Sequence, residues 1–524
     1  MLRYTFLLVV LMTFAATCVF SQTRWFKYEQ NPVMDVGSAG TWEGNGIIAS
    51  RVIFQDSLYR MWYLGFGAGD IARTGHATSR DGVTWTKDTL NPVLSQGPPG
   101  SWESRGAATG YVVFTGSSYK MWYAGLDNAS IFRIGYATSP DGRSWTKAAS
   151  NPILGPGSWY STGPTIPSVL PDSLEGFRMW FGAENAGHYL QIGYATAPDE
   201  TTWTVNAGPV LSTGIAGSWE DRNVFGPRVL YDGLLYEMWY GGERSDFRSH
   251  FGYATSFDGI NWAKSADNPV FPRGPAPWET NDIAHPQVLS DGGLYHMWYS
   301  GNPESPWRIG YAISPKGLAV SASTTDSVIN STDDTISVTV RVDDPSGLQF
   351  SAKILSGGTP VDTVDLFDDG AHGDSLAGDG VFANDWIPIS ADVYSVDLVL
   401  KLRDTLTFEM KNAAVNLVTA VGNAEFIAPQ GYHLSHNFPN PFNPSTEINF
   451  SLPQRSHVTL KIFGLLGQEV TTLVSDELPS GSYSTKWDAA GMPSGVYFSR
   501  LQVGDPSPRS GRGFVETKKL LLLR

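Results

Sequence analysis

A chain of 524 residues with a formal net charge of −15 and a pI near 5.0 is too long for one core and too acidic to offer the basic face that a nucleic-acid backbone requires. Its 13% aromatic content, with 18 Trp beside 56 Gly and 33 Pro, argues against a mainly helical protein and suits many short strands joined by tight turns. The single cysteine, Cys18, excludes a disulfide framework and a zinc–thiolate site.

Residues 1–21 read as a secretory signal peptide. Arg3 is the positive n-region, Phe6 to Met12 the apolar run, and Val19-x-Ser21 the small-residue cleavage site before Gln22. The run is too short to span a bilayer, and no later segment reads as a transmembrane span. Lipid attachment at Cys18 is the alternative, with Thr17 a poor neighbour for it.

From residue 22 to 317 the chain repeats about every sixty residues. Met61-Trp62-Tyr63 recurs as Met121-Trp122-Tyr123, Met179-Trp180-Phe181, Met238-Trp239-Tyr240 and Met297-Trp298-Tyr299. Trp42-Glu43, Trp102-Glu103, Trp219-Glu220 and Trp278-Glu279 precede four of these blocks, and Trp159-Tyr160 stands in the third. Each block leads to a Gly-aromatic-Ala strand, a turn such as Ser139-Pro140-Asp141-Gly142, and then Trp-Thr-Lys and Asn-Pro-Val elements. Four short strands per repeat predict a blade, and five repeats an all-β, five-bladed propeller. The fifth repeat lacks its Trp-x-Lys element, so Trp25 to Val33 is expected to supply the missing outer strand and close the ring.

Hairpin turns occupy one face of such a ring, while the 2–3 loops and blade crossings occupy the other and vary in chemistry. Aligning the repeats on Val52, Val112, Val169, Val229 and Val288 gathers polar groups on that variable face. Asn45, Arg105, Asp127, Arg222, Asn223, Arg244, Asn281 and His285 are the candidate substrate-binding residues. Asp246 lies on the same side. The repeated Trp-Glu pairs read as structural, the Met-Trp-Tyr stripe as inter-blade core, and His285 as either a satisfied buried imidazole or an axial ligand.

Met-Trp-Tyr-x-Gly followed by Gly-Tyr-Ala-x-Ser-x-Asp-Gly-x-x-Trp resembles the five-bladed glycoside-hydrolase superfamily of arabinanases, xylosidases, fructan hydrolases and mannoside phosphorylases. The Asp-Gly turns also resemble the Asp boxes of sialidase-type propellers, one residue shorter. The superfamily resemblance implies a glycan ligand and acidic residues on the inner strands. Glycoside hydrolysis sets two carboxyl groups roughly 5–5.5 Å apart for retention or about 6.5–9.5 Å for inversion. Here the first-blade slot is Ala49 and the third-blade slots are Gly163-Pro164-Thr165-Ile166, so the inner-strand acidic pair is missing. A catalytic pair then draws on Asp282 as base and Glu243 or Glu184 as acid. The resemblance also places His285 where relatives hold a histidine near calcium on the propeller axis.

Residues 318–420 alternate Ser, Thr, Asp and Val and predict an immunoglobulin-like β-sandwich. Within it Asp368, Asp369, Asp374 and Asp379 stand among glycines as a candidate calcium site, with a plain Asp-rich turn as the alternative. Residues 421–430 read as a linker. The stretch 431–524 resembles a type IX secretion sorting domain of the Bacteroidetes type through Asn437-Phe438-Pro439-Asn440-Pro441-Phe442-Asn443-Pro444-Ser445-Thr446, Leu466-Gly467-Gln468-Glu469-Val470, Gly495-Val496-Tyr497 and Lys518-Lys519-Leu520. It implies a small β-sandwich read by type IX secretion machinery. The combined expectation is a monomer, secreted or held at the outer cell surface, that engages glycan as a divergent glycoside hydrolase or as a non-catalytic adhesion or carbohydrate-binding module.

Overall fold

The computed structural model describes residues 24–172, 176–324, 335–388, 392–403, 405–419, 432–435, 437, 440, 442–465, 467–478, 481–503 and 514–522. The expected signal peptide (1–21) and linker (421–430) lie outside the described residues. Among the described residues no helix is long and apolar enough to cross a membrane.

After β1 (Phe26–Tyr28) the chain forms antiparallel meanders that repeat one plan. The first blade is β2 (Gly46–Gln55), β3 (Leu58–Phe66), β4 (Ala72–Ser79) and β5 (Thr86–Lys87). The second is β6 (Gly106–Phe114), β7 (Tyr119–Leu126), β8 (Phe132–Ser139) and β9 (Thr146–Lys147). The third is β10 (Tyr160–Asp172), β11 (Gly176–Asn185), β12 (Leu190–Ala197) and β13 (Thr204–Val205). The fourth is β14 (Asn223–Tyr231), β15 (Tyr236–Glu243), β16 (Ser249–Ser256) and β17 (Ala263–Lys264). The fifth has β18 (Asp282–Asp291), β19 (Leu294–Asn302) and β20 (Arg308–Pro315). The inner strands β2, β6, β10, β14 and β18 each pack on the next, and β18 packs back on β2. Each carries a register irregularity at the same level: Ala49/Arg51, Thr109/Tyr111, Thr165/Ser168, Phe225/Arg228 and Ala284/Gln287. Such bulges bend a strand and re-aim its side chains, here around the axis.

The repeated motifs explain how blades adhere. Buried Trp62, Trp122, Trp180 and Trp298 each donate an indole N–H to a carbonyl in the 3–4 turn of the next blade: Gly142, Glu200, Gly259 and Gly82, at 2.7–3.0 Å. The same turns are shaped by their Asp side chains. Asp81 Oδ1 accepts from Val83 N and Thr84 N, and Asp141 and Asp258 repeat the pattern. The buried Glu of each Trp-Glu pair binds the lysine of its own blade's outer strand: Glu43–Lys87 at 2.8 Å, Glu103–Lys147 at 2.7 Å and Glu220–Lys264 at 2.6 Å. The third blade replaces the whole set at once. Tyr160, Val205 and Phe181 stand where the others hold Glu, Lys and Tyr, and they pack in one apolar cluster. A charge is absent there because its counter-charge is absent too.

The N-terminal strand closes the ring. β1 pairs antiparallel with β20, Phe26 opposite Ile313 and Lys27 opposite Ala312. Lys27 then meets Glu279 at 2.6 Å, and Tyr299 donates to the same carboxylate at 2.8 Å, as Tyr63 does to Glu43 at 2.7 Å. Asn31 grips the backbone of Tyr311 in both directions, as Asn91 grips His76. The join costs one tie: the buried indole N–H of Trp239 has no acceptor among the described residues, because no 3–4 turn follows β20.

The second edge of β1 is covered by the next domain, a feature absent from the sequence-based expectation. That domain has β21 (Ala319–Thr324), β22 (Ile336–Arg341), β23 (Leu348–Ser356), β24 (Thr359–Leu366), β25 (Val381–Trp386), β26 (Asp392–Leu402) and β27 (Leu406–Thr419). Strands β21-β22-β25 form one sheet. Strands β24-β23-β26-β27 form the other, which continues through β1 into the fifth blade. Lys27 lies opposite Glu409 and Tyr28 opposite Phe408. Phe26, fully buried, packs on Phe350 at 5.9 Å, so propeller and sandwich share a core.

Residues 422–524 form a separate compact unit. Its strands are β28 (His433–Leu434), β29 (Ser445–Leu452), β30 (Ser456–Gly464), β31 (Glu469–Leu478), β32 (Gly481–Asp488), β33 (Gly495–Val503) and β34 (Phe514–Leu522). They make two sheets, β28-β29-β32 and β31-β30-β33-β34. The asparagines of the Asn-Phe-Pro-Asn motif hold this unit together. Asn437 donates to Thr446 Oγ1 at 2.8 Å, and Asn440 clasps the last strand at Lys519 O and Leu521 N.

Removing Lys27 leaves the fully buried Glu279 carboxylate without its cation, a loss of about 3–5 kcal/mol. We expect Lys27→Met to lower the urea midpoint of the full chain accordingly. Lys27→Val combined with Glu279→Tyr and Tyr299→Phe, the third blade's own solution, should recover most of it.

Candidate functional site at the junction of the fourth and fifth blades

The 2–3 loops share a backbone plan. Their tips hold one residue in the left-handed region: Asp70 (φ 52°), Ser130 (φ 61°), His188 (φ 61°) and Phe247 (φ 63°). Small polar residues tolerate that conformation, whereas a phenylalanine there is uncommon and costs of order 1–2 kcal/mol. Phe247 is also 62% exposed. It is held under the Arg222 guanidinium, which lies 4.1 Å from the ring centroid. An exposed aromatic kept in a strained position beside a cation is a candidate ligand platform. Exposed Tyr189 on the third-blade loop is a second.

Around Phe247 the structure gathers Arg222, Asn223, Glu243, Asn281 and Asp282 from the expected polar residues. Arg222 Nε lies 3.1 Å from Glu243 Oε1, and Asn223 Nδ2 donates to that oxygen at 3.2 Å. Asn223 Oδ1 accepts from Leu190 N, at 2.7 Å, across the blade boundary. Asp282 repeats this one blade on, accepting from Ser249 N at 3.1 Å and Ile283 N at 2.9 Å. Ser249 lies opposite Glu243 in the β15–β16 register, so both carboxylates flank one residue. Asn281 accepts from Arg248 through its backbone and side-chain oxygens. Burial raises the affinity of Glu243 for its proton, as does the Asp282 charge, against the pull of Asn223 and Arg222. Asp282 is raised too, chiefly by burial.

The remaining candidates make other contacts. Glu184 pairs with exposed His188 at 2.5 Å. Asn45 donates to Gly67 O at 3.0 Å within the first blade, and Arg105 reaches Ser130 Oγ at 3.4 Å in the second. Asp127 caps its own loop by accepting from Ala129 N and Ile131 N and pairs with Arg133 at 2.7 Å. Arg244 pairs with Asp246 in the fourth-blade loop. His285 occupies the fifth-blade bulge at φ 56°, against Gly226 and edge-on to Phe225 at 6.1 Å. Burial pushes its pKa down to about 4, so the imidazole is neutral at pH 7. Its buried Nδ1 has no partner among the described residues. Sequence reasoning missed Tyr189, Phe247 and Arg248; aligning the loop tips rather than the inner strands would have exposed the odd phenylalanine.

In the sandwich, one oxygen from each of Asp368, Asp374 and Asp379 lies within 4.8 Å of the others. Asp369 is outside this group and turns to His372 at 3.1 Å. Asp368 accepts from Gly378 N, Asp379 N and Gly380 N, and Asp374 from Gly370 N and Leu376 N. Backbone donors therefore hold the carboxylates together, and hard oxygens in this arrangement suit calcium.

Residues 436–508 match the family model described as the secretion system C-terminal sorting domain. The chain thus carries a sorting domain of the type IX system and is exported, to the cell surface or beyond it. An uncharacterized protein of Mycobacterium tuberculosis is 25% identical over 241 residues, covering 44% of this chain and 76% of the relative. A β-1,2-mannobiose phosphorylase of Thermoanaerobacter sp. is 30% identical over 112 residues, covering 19% of this chain and 36% of the enzyme. Among solved structures, the β-1,2-mannobiose phosphorylase of Listeria innocua aligns with a TM-score of 0.45 and 15% identity, over 56% of this chain and 96% of that one.

If the three carboxylates bind calcium, adding it to chelator-treated protein should raise the apparent unfolding temperature by about 2–4 °C, and Asp374→Asn should remove the response. Differential scanning fluorimetry with magnesium as control checks this.

Proposed function

We propose that this exported propeller engages glycan on its variable face, where the loops of the third, fourth and fifth blades meet. The observation that carries the proposal is Phe247, an exposed ring in a left-handed position and stacked by Arg222, beside Asn223, Glu243 and Asp282. A sugar offers an apolar face for such a ring and hydroxyls for mixed carboxylate, amide and guanidinium partners. The relatives named as mannobiose phosphorylases support the same ligand class.

Two readings of chemistry divide on the carboxylates. For hydrolysis, Glu243 is the proton donor, since burial favours its protonated form, with Asp282 as the base. Against it, Asp282 occupies the same inter-blade bond as Asn223, a role that an amide fills equally well. That equivalence favours a binding protein, with Asp282 as a structural tie.

Incubation with arabinan, xylan and mannan oligosaccharides tests both. The binding reading expects measurable affinity by calorimetry without turnover. Glu243→Gln should then weaken binding by about tenfold or less, about 1.4 kcal/mol. Turnover abolished by Glu243→Gln and by Asp282→Asn would instead establish the hydrolase. Phe247→Asn suits the left-handed position, so stability should change by less than about 1 kcal/mol while affinity falls at least about tenfold. Neither binding nor turnover on any of these glycans would remove the proposal.

A further inference from the structure

Three buried side chains from different blades meet at the inner-strand bulges. Arg51 follows the first-blade bulge, Tyr111 the second and Arg228 the fourth. The Tyr111 ring has the Arg51 guanidinium 4.1 Å from its centroid and that of Arg228 at 5.2 Å. Arg51 is 7% exposed and Arg228 2%. Each spends its Nε–H on the inner strand of the next blade, Arg51 on Val112 O and Arg228 on Val288 O, both at 2.9 Å.

Burial opposes ionisation of the Tyr111 phenol, yet Arg51 and Arg228 together pull its pKa below the ordinary value, Arg228 also through a side-chain hydrogen bond, so the one group answering the two cations is a phenol. No carboxylate pairs with either arginine among the described residues, and buried Arg228 Nη1 has no acceptor. Arginine cannot shed its proton to relieve the cost, and even Arg51, pushed down to about 9 by burial and by the charge of Arg228, stays cationic at pH 7. Contact with an aromatic face offsets only part of the desolvation of two guanidinium ions. The neighbours are neutral: Ser168 accepts from Val229 N, and Gln287 occupies the corresponding position of the fifth blade. Space is short, since a Cβ on Gly110 would come within 2.2 Å of Pro167 on the adjoining inner strand. A single compact anion, with no oxygens of its own to satisfy, answers two such cations more simply than a tetrahedral oxyanion with four.

We propose that these inner-strand bulges bind a monatomic halide anion of the chloride class between Arg51 and Arg228, with Tyr111 as the wall. The site is independent of the proposed glycan site and of its chemistry. The anion completes the hydrogen bonding of Arg228 Nη1 and removes the repulsion between two cations that together tie the inner strands of the first, second, fourth and fifth blades.

The test is thermal unfolding of the full chain at constant ionic strength in sodium gluconate, chloride, bromide or phosphate. Chloride and bromide should each give a saturable rise of about 2–4 °C over gluconate, with phosphate no better than gluconate. A crystal grown in bromide should show an anomalous peak between the two guanidinium groups. Arg228→Gln should abolish the halide response; should it fail to fold, Arg51→Lys should reduce the response and the wild-type series still decides. Identical unfolding temperatures in all four salts, a phosphate response equal to or above the halide response, or a bromide crystal without that peak would each overturn the proposal.

Discussion

The three-residue strand Phe26–Tyr28 is the constraint on which the rest of the exported body depends. The fifth blade has only three strands of its own, and without a fourth its outer edge would leave unpaired backbone groups. β1 covers that edge by pairing with β20, and its own other edge is covered by β27. Lys27 fixes the register by placing its ammonium against buried Glu279. Burying Phe26 adds about 2 kcal/mol of hydrophobic stabilisation at the seam. The propeller and the sandwich are therefore joined by a continuous sheet and a common core.

That closure has a consequence for the variable face. With the blades locked by tryptophan-to-carbonyl bonds and the inner strands bulged at one level, the 2–3 loops are free to differ without loosening the scaffold. Three of the loop tips use the left-handed position for Asp, Ser or His, and the fourth gives it to Phe247. Local strain at one loop, compensated by the stack on Arg222, marks a place where the scaffold's rigidity serves something other than folding.

Much of this was legible in the residues. The period of Met-Trp-Tyr, the truncated fifth repeat and the Trp-Lys element at Trp25 announce the propeller and its closing strand, because each motif has one geometric role repeated around a ring. The Trp-Glu pairs read as structural, and their buried glutamates bind the lysine of their own blade. Less legible was anything set by contact between repeats. That Asn223 and Asp282 are the same inter-blade bond requires the neighbouring Leu190 and Ser249 amides. That Arg51 and Arg228 face one tyrosine requires the closed ring, since 177 residues separate them in the chain. The cover of β1 by β27 was hidden because an edge strand and a shared strand have the same sequence.

The proposed ligand site lies on one side of the ring, among the loops of the third, fourth and fifth blades. Hydrogen exchange of the full chain with and without a bound oligosaccharide reads that placement directly. Protection confined to residues 185–190, 222–223, 243–249 and 281–283 is the predicted result. Protection centred instead on the hairpin turns of the opposite face, such as 79–85 or 256–262, would contradict it.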